Sequence, residues 1–184
     1  VGVVLDRRRG RRRRVCRAGT GAVYPEAGGE VVAAIPEPEG GDGWAAYYKR
    51  FTGSDGEAKL AGARAWSVWE GTTLSLLEDP ERAARFDDAH FALAFARIEC
   101  HYFVNRGFFE PPDQLIKNAH LLNGIPGVIA QGRYDVVTPM FTAWDLAKNW
   151  ETGELTIVPD AGHTATEPGI VDVMVRATDR FADV

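Results

Sequence analysis

The chain has 184 residues, 45% hydrophobic and 26% charged, the proportions of an ordinary globular protein rather than a disordered or fibrous one. Its net charge of -5 is unevenly spread: residues 1–17 carry eight arginines against Asp6, and the remaining residues carry 13 basic and 25 acidic side chains. So acidic a body offers no face for phosphate backbones, which argues against a nucleic-acid protein.

Along the chain, Arg7–Arg14 is broken only by Gly10 and has no helical or strand period. Like charges this dense repel one another, so a solvated segment is expected, the alternative being an arm for nucleic acid or another anionic surface. Residues 18–55 are punctuated by glycine and proline and predict loops, with one short helix near Trp44–Phe51. Ser54-Asp55 reads as the N-cap of a helix over Glu57–Leu77, whose Leu60, Ala63, Trp66, Trp69 and Leu74 recur near 3.6-residue spacing. Gly71 and the threonine pair after it are expected to kink or interrupt that helix.

A second apolar helix is expected over Ala89–Val104, stopped by Arg106-Gly107, and a short amphipathic one over Asp113–Asn123. The pattern changes past Pro111-Pro112, and Pro126-Gly127 marks a turn. Gly127–Gln131 reads as a strand, Phe141–Trp150 as a helix, Leu155–Val158 as a second strand and Ile170–Ala182 as a closing helix. That alternation predicts an α/β fold, a parallel sheet with crossover helices. Two strands do not make a stable sheet alone, so this part reads as the edge of something larger.

The polar residues that follow each strand carry the chemistry. Loops at the carboxyl ends of parallel strands collect functional groups, and adjacent strands would bring Asp135 and His163 together. An aspartate accepting the imidazole Nδ1–H fixes the tautomer and leaves Nε2 as a base. His90, His101 and His120 belong to no cluster with zinc spacing, and no glycine-rich phosphate loop is present, so no metal or other cofactor is implied. No apolar run approaches the ~18 residues of a membrane helix, and no secretory leader is expected. Cys16 and Cys100 form neither a disulfide framework nor a CxxC pair, so a reducing, cytoplasmic setting is expected.

Gly132-Arg133-Tyr134-Asp135-Val136-Val137, Ala143-Trp144-Asp145-Leu146 and Val158-Pro159-Asp160-Ala161-Gly162-His163 closely resemble prolyl iminopeptidases (proline iminopeptidases) of the α/β-hydrolase fold. Ala65–Gly71 and Ala96–Asn105 resemble the helical cap of the same family, and the likeness runs from about Tyr24 to Val184. The resemblance implies a serine-type aminopeptidase acting on peptides with N-terminal proline, in which Asp135 and His163 are the acid and base of a Ser-Asp-His triad. It implies a helical cap over residues 24–123 and the C-terminal part of the hydrolase core over 124–184, after a poorly matched basic segment over 1–23. The family's nucleophile sits in a G-x-S-x-G elbow upstream of the aspartate. None of Ser54, Ser67 and Ser75 has that flanking pattern, so this chain alone is expected to be inactive. The rival expectation is a truncated or decayed gene product that binds nothing.

Glu70 and Glu99 each lie among aromatic residues, where burying a carboxylate is costly unless a cation or donors compensate. The residues leave two readings open: salt bridges to Arg64 or Arg97, or capture of a substrate's N-terminal ammonium. The resemblance implies the second, because the family's cap carboxylates hold the substrate amine. Trp66, Trp69, Phe91, Phe95, Tyr102, Phe103, Phe108 and Phe109 could wall a pyrrolidine pocket, although most are expected to be core.

Overall fold

A computed structural model describes Val23, Tyr24 and residues 43–182. The arginine run, Cys16 and most of the glycine- and proline-rich stretch lie outside the described residues. The described chain divides into two units, a helical one of residues 43–73 with 78–108 and a sheet-containing one of residues 74–77 with 109–182.

The helical unit holds α1 (Gly43–Thr52), α2 (Gly56–Thr73), α3 (Pro80–Phe86) and α4 (Ala89–Val104). Its core is aromatic: Trp66 stands edge-on to Trp44, Tyr47 and Phe51 with centroids 4.9–5.9 Å apart. Ala63, Ala96 and Cys100 fill the spaces between helices, where their small side chains allow close approach. Asp55 caps α2 by accepting from the Ala58 N–H at 3.0 Å, and Asp88 caps α4 through the Phe91 N–H at 2.9 Å.

Two expectations are corrected here. Gly71 itself neither kinks nor interrupts α2, although the helix does end at the threonine pair after it, at Thr73. A Cβ at Gly71 would stand 2.7 Å from the Phe86 ring, so the glycine serves close packing against α3. The same helix stops at Thr73 rather than Leu77, because residues 74–77 turn their backbone groups to the loops of the sheet-containing unit. The sequence reading missed α3, although Asp79-Pro80 is a strong start signal: the aspartate accepts from the Arg82 N–H at 2.9 Å and proline takes the first helical position.

In the second unit, the helix expected over Asp113–Asn123 is split into α5 (Gln114–Lys117) and a 3-10 turn at Ala119–Leu122. There follow β1 (Gly127–Gly132), α6 (Met140–Asn149), β2 (Gly153–Val158) and α7 (Pro168–Arg180). The strands pair in parallel with Gly127 opposite Gly153 and Gly132 opposite Val158. This is the expected α/β arrangement, two parallel strands with helices, consistent with the C-terminal portion of an α/β-hydrolase.

Each face of the sheet has its own cover. Ile170 and Val173 of α7 pack with Val158 and Ala161 over Val128 and Ala130. At the start of both strands the Trp150 indole lies against Gly127 and Gly153, where a side chain would collide with the ring. Its Nε1–H is shared between the carbonyls of Leu122 and Ile125, each at 3.0 Å. With one end of the strands covered by an indole, the polar loops gather at the other.

Candidate active site

β1 delivers its loop and β2 delivers its own to the same sheet edge. Gly132 is the contact point, since a Cβ there would overlap the carbonyl oxygen of Gly162 and stand 2.6 Å from that of Ala161. Main chain therefore lies against main chain. The Arg133 N–H donates to the Val158 carbonyl at 2.9 Å, and the Tyr134 N–H to Ala161 at 3.0 Å.

This brings Asp135 and His163 together, with the carboxylate Oδ2 3.0 Å from the imidazole Nδ1. Asp135 is buried, and its carboxylate is well supplied with donors. Oδ1 accepts from the Val137 N–H at 3.0 Å and the Thr138 N–H at 2.7 Å. Oδ2 also accepts from the Thr138 hydroxyl at 2.7 Å and from Gln131 Nε2 at 3.1 Å. Burial pushes the Asp135 carboxyl up, but the hydrogen bond and charge of His163, with the Thr138 hydroxyl and N–H, outweigh it and hold the group below its ordinary value. It is ionised at neutral pH.

An ionised carboxylate only accepts, so Nδ1 of His163 carries the proton and Nε2 is left with a lone pair. The Thr138 hydroxyl, 3.0 Å from Nδ1, has already donated its own proton to Asp135 and accepts a share of the Nδ1–H. The tautomer is thus fixed twice. The arrangement can take a proton at Nε2 and stabilise the resulting imidazolium.

The sequence reading missed Gln131 and Thr138. Gln131 is a buried amide in an otherwise apolar strand, and its Nε2 reaches Gly132 O and Thr138 O as well as Asp135. A polar residue at a core position was a usable signal for it. Thr138, three residues after Asp135, completes a local aspartate turn that the spacing could have revealed.

In the helical unit, α2 carries Glu70 and α4 carries Glu99. Glu70 is 6% exposed. Burial drives its carboxyl well above the ordinary range, and the charge of Glu99 adds to the effect. Glu99 is half-buried and accepts from Trp66 Nε1 at 2.6 Å. Arg64 pairs with Asp87 instead, at 3.6 Å, and among the described residues neither Arg64 nor Arg97 bridges to either glutamate. A cavity of about 400 Å³ in this unit is lined by Tyr48, Phe51, Arg97, His101 and Tyr102 among others, and neither glutamate lines it. Of the aromatic residues considered for a pyrrolidine pocket, Trp66 is core, whereas Tyr102 and Phe108 are exposed.

Among the described residues, no three His, Cys, Asp or Glu side chains gather to hold a metal ion, and no helix is long and apolar enough to cross a membrane.

No family model matches the chain. Curated relatives do. It is 52% identical over 163 residues to a probable proline iminopeptidase of Leptolyngbya boryana, covering 89% of this chain and 51% of that protein. It is 52% identical to the proline iminopeptidase of Xanthomonas citri, over 89% of this chain and 52% of the relative. The proline iminopeptidase of Arabidopsis thaliana is 47% identical over 89% of this chain and 43% of its own length. The chain spans about half the length of the curated relatives it matches, their C-terminal half.

Proposed function

We infer that this chain, which belongs to the proline iminopeptidase family, supplies the acid and the base of a serine-type site that removes N-terminal proline from peptides. One observation carries the reading: Asp135 Oδ2 lies 3.0 Å from His163 Nδ1, which keeps Nε2 as the nitrogen able to accept a proton.

In the complete enzyme, a serine outside this chain attacks the carbonyl that follows proline. His163 Nε2 takes the hydroxyl proton as the bond forms and returns it to the leaving amine. Asp135 holds the ring and stabilises its charged form. Glu70 and Glu99 receive the ammonium of the N-terminal proline; the charge of Glu99 disfavours ionised Glu70, and a bound cation would favour it. A reducing, cytoplasmic setting is part of the same reading, since the sequence has neither a disulfide framework nor a CxxC pair.

Two preparations test the reading, each assayed by release of a chromogenic amine from its proline amide. The chain alone should release none, because it contains no G-x-S-x-G sequence. Joined behind the N-terminal half of a family member, it should turn the substrate over, and His163→Ala in that fusion should cut kcat by about 10⁴-fold or more. Full turnover by the His163→Ala fusion would remove the reading.

A further inference from the structure

The geometry points to Glu167 as a positioning residue for His163: its carboxylate clamps the loop that carries the imidazole to the backbone of residues 74–77. Glu167 occupies the N-cap position of α7 but makes no side-chain bond to its own helix. Both oxygens are used elsewhere. Oε2 accepts from the Gly162 N–H at 2.7 Å, and Oε1 from the Leu76 N–H at 2.8 Å. Glu167 therefore joins the residue immediately before His163 to a segment some 90 positions earlier in the chain.

The same segment holds the next two amides. The Leu74 carbonyl accepts the N–H of His163 and the N–H of Thr164, each at 2.8 Å. Three successive N–H groups, those of Gly162, His163 and Thr164, are thus fixed by Glu167 and Leu74 together. There is no slack at this contact, since a Cβ on Gly162 would stand 2.9 Å from the Leu76 nitrogen. From the other side, Tyr134 N–H holds Ala161 O at 3.0 Å and ties the loop to the end of β1. The imidazole reaches Asp135 from a main chain held on both flanks, and within that frame the Glu167 side chain grips two segments of backbone at once. Hydrogen bonds from N–H groups to a carboxylate are the stronger kind, and a buried amide left without its acceptor is costly. Releasing Gly162 therefore frees the ring's anchor.

The inference rests on His163 being the base, and the experiment separates the two. In the full chain carrying ¹⁵N-labelled histidine, the Nδ1–H proton shared with Asp135 gives a downfield resonance. Glu167→Gln leaves one acceptor oxygen for two amides. It should abolish that resonance and speed amide exchange at Gly162 and Leu76 by about tenfold or more, while α7 amides keep their protection. Glu167→Asp, charged but one methylene short, should do the same. Asp172→Asn, at an exposed pair on the same helix, should change neither signal.

A residue that merely stabilised α7 would shift the melt and leave the histidine resonance intact. An unchanged resonance and unchanged exchange in both Glu167 variants overturns the inference while the base reading stands. Failure of both to fold beside a folded Asp172→Asn control also overturns it, making Glu167 a residue of the fold. A missing resonance in the unaltered chain removes both readings.

Discussion

A methyl group on Gly132 would fall on the carbonyl oxygen of Gly162, and both atoms belong to main chain that has no rotamer to escape into. Gly132→Ala must therefore part the two loops at the point that brings Asp135 to His163. The expected cost is about 1–3 kcal/mol, the usual range for overpacking. Urea melts should show this cost together with loss of the Nδ1–H resonance, and an alanine variant of native stability would contradict the geometry. At this scale the sequence is informative in a particular way. Asp135 and His163 were legible because each follows an apolar strand, and strand ends are where parallel sheets expose polar groups. Gln131, Thr138 and Glu167 were not read. Glu167 left no trace at all in the sequence pattern, because both its partners are backbone amides, and one of them lies 91 residues away.

The long helix α2 combines a structural duty with a costly group. Trp66 anchors it in the aromatic core, and Glu70, one turn on, is buried with its carboxyl driven upward first by burial and then by Glu99. The folded state consequently holds the Glu70 proton to higher pH than the unfolded chain does. For an acid whose folded value is raised, stability is greatest below the ordinary carboxylate value and declines as pH rises from there through the folded value. Glu70→Gln should flatten that decline and stabilise the protein at neutral pH by on the order of 1 kcal/mol. In the fusion with a nucleophile-bearing half, the same change should raise KM for proline amides. Thermal melts across pH 4–8 check the first effect and steady-state kinetics the second. A variant less stable than the parent at pH 7 would contradict the burial argument. The helix itself was legible from its periodicity, but its end was not: nothing local to Leu74 announces that its carbonyl serves two amides near residue 163. The missed α3 is a different case, since Asp79-Pro80 was a readable start in a stretch too short to show a period.

The chain as a whole presents considerable apolar surface on the sheet-containing unit. Phe141 and Trp144 of α6 and Val171, Met174 and Val175 of α7 are each 41–53% exposed. The two-stranded sheet was legible as part of something larger because such a pair cannot bury its own flanks. The part that this chain matches is about half of each curated relative. What could not be read was how the polypeptide is shared between its units. It leaves the helical unit after Thr73, contributes residues 74–77 to the other, and returns before α3. The sheet-containing unit is thus discontinuous in the gene, and no single cut releases it whole. A shortened chain beginning at residue 109 would include β1, β2, Asp135 and His163, yet it would lack the carbonyl that receives the His163 and Thr164 amides and the amide that Glu167 binds. Those two amides should exchange with solvent at least about tenfold faster in the excised piece than in the full chain, and equal protection in both would show the insert to be dispensable. Anyone dissecting the protein by expressing its parts therefore has to keep four residues that belong with the histidine in space but are separated from it in the chain by the helical unit's second segment.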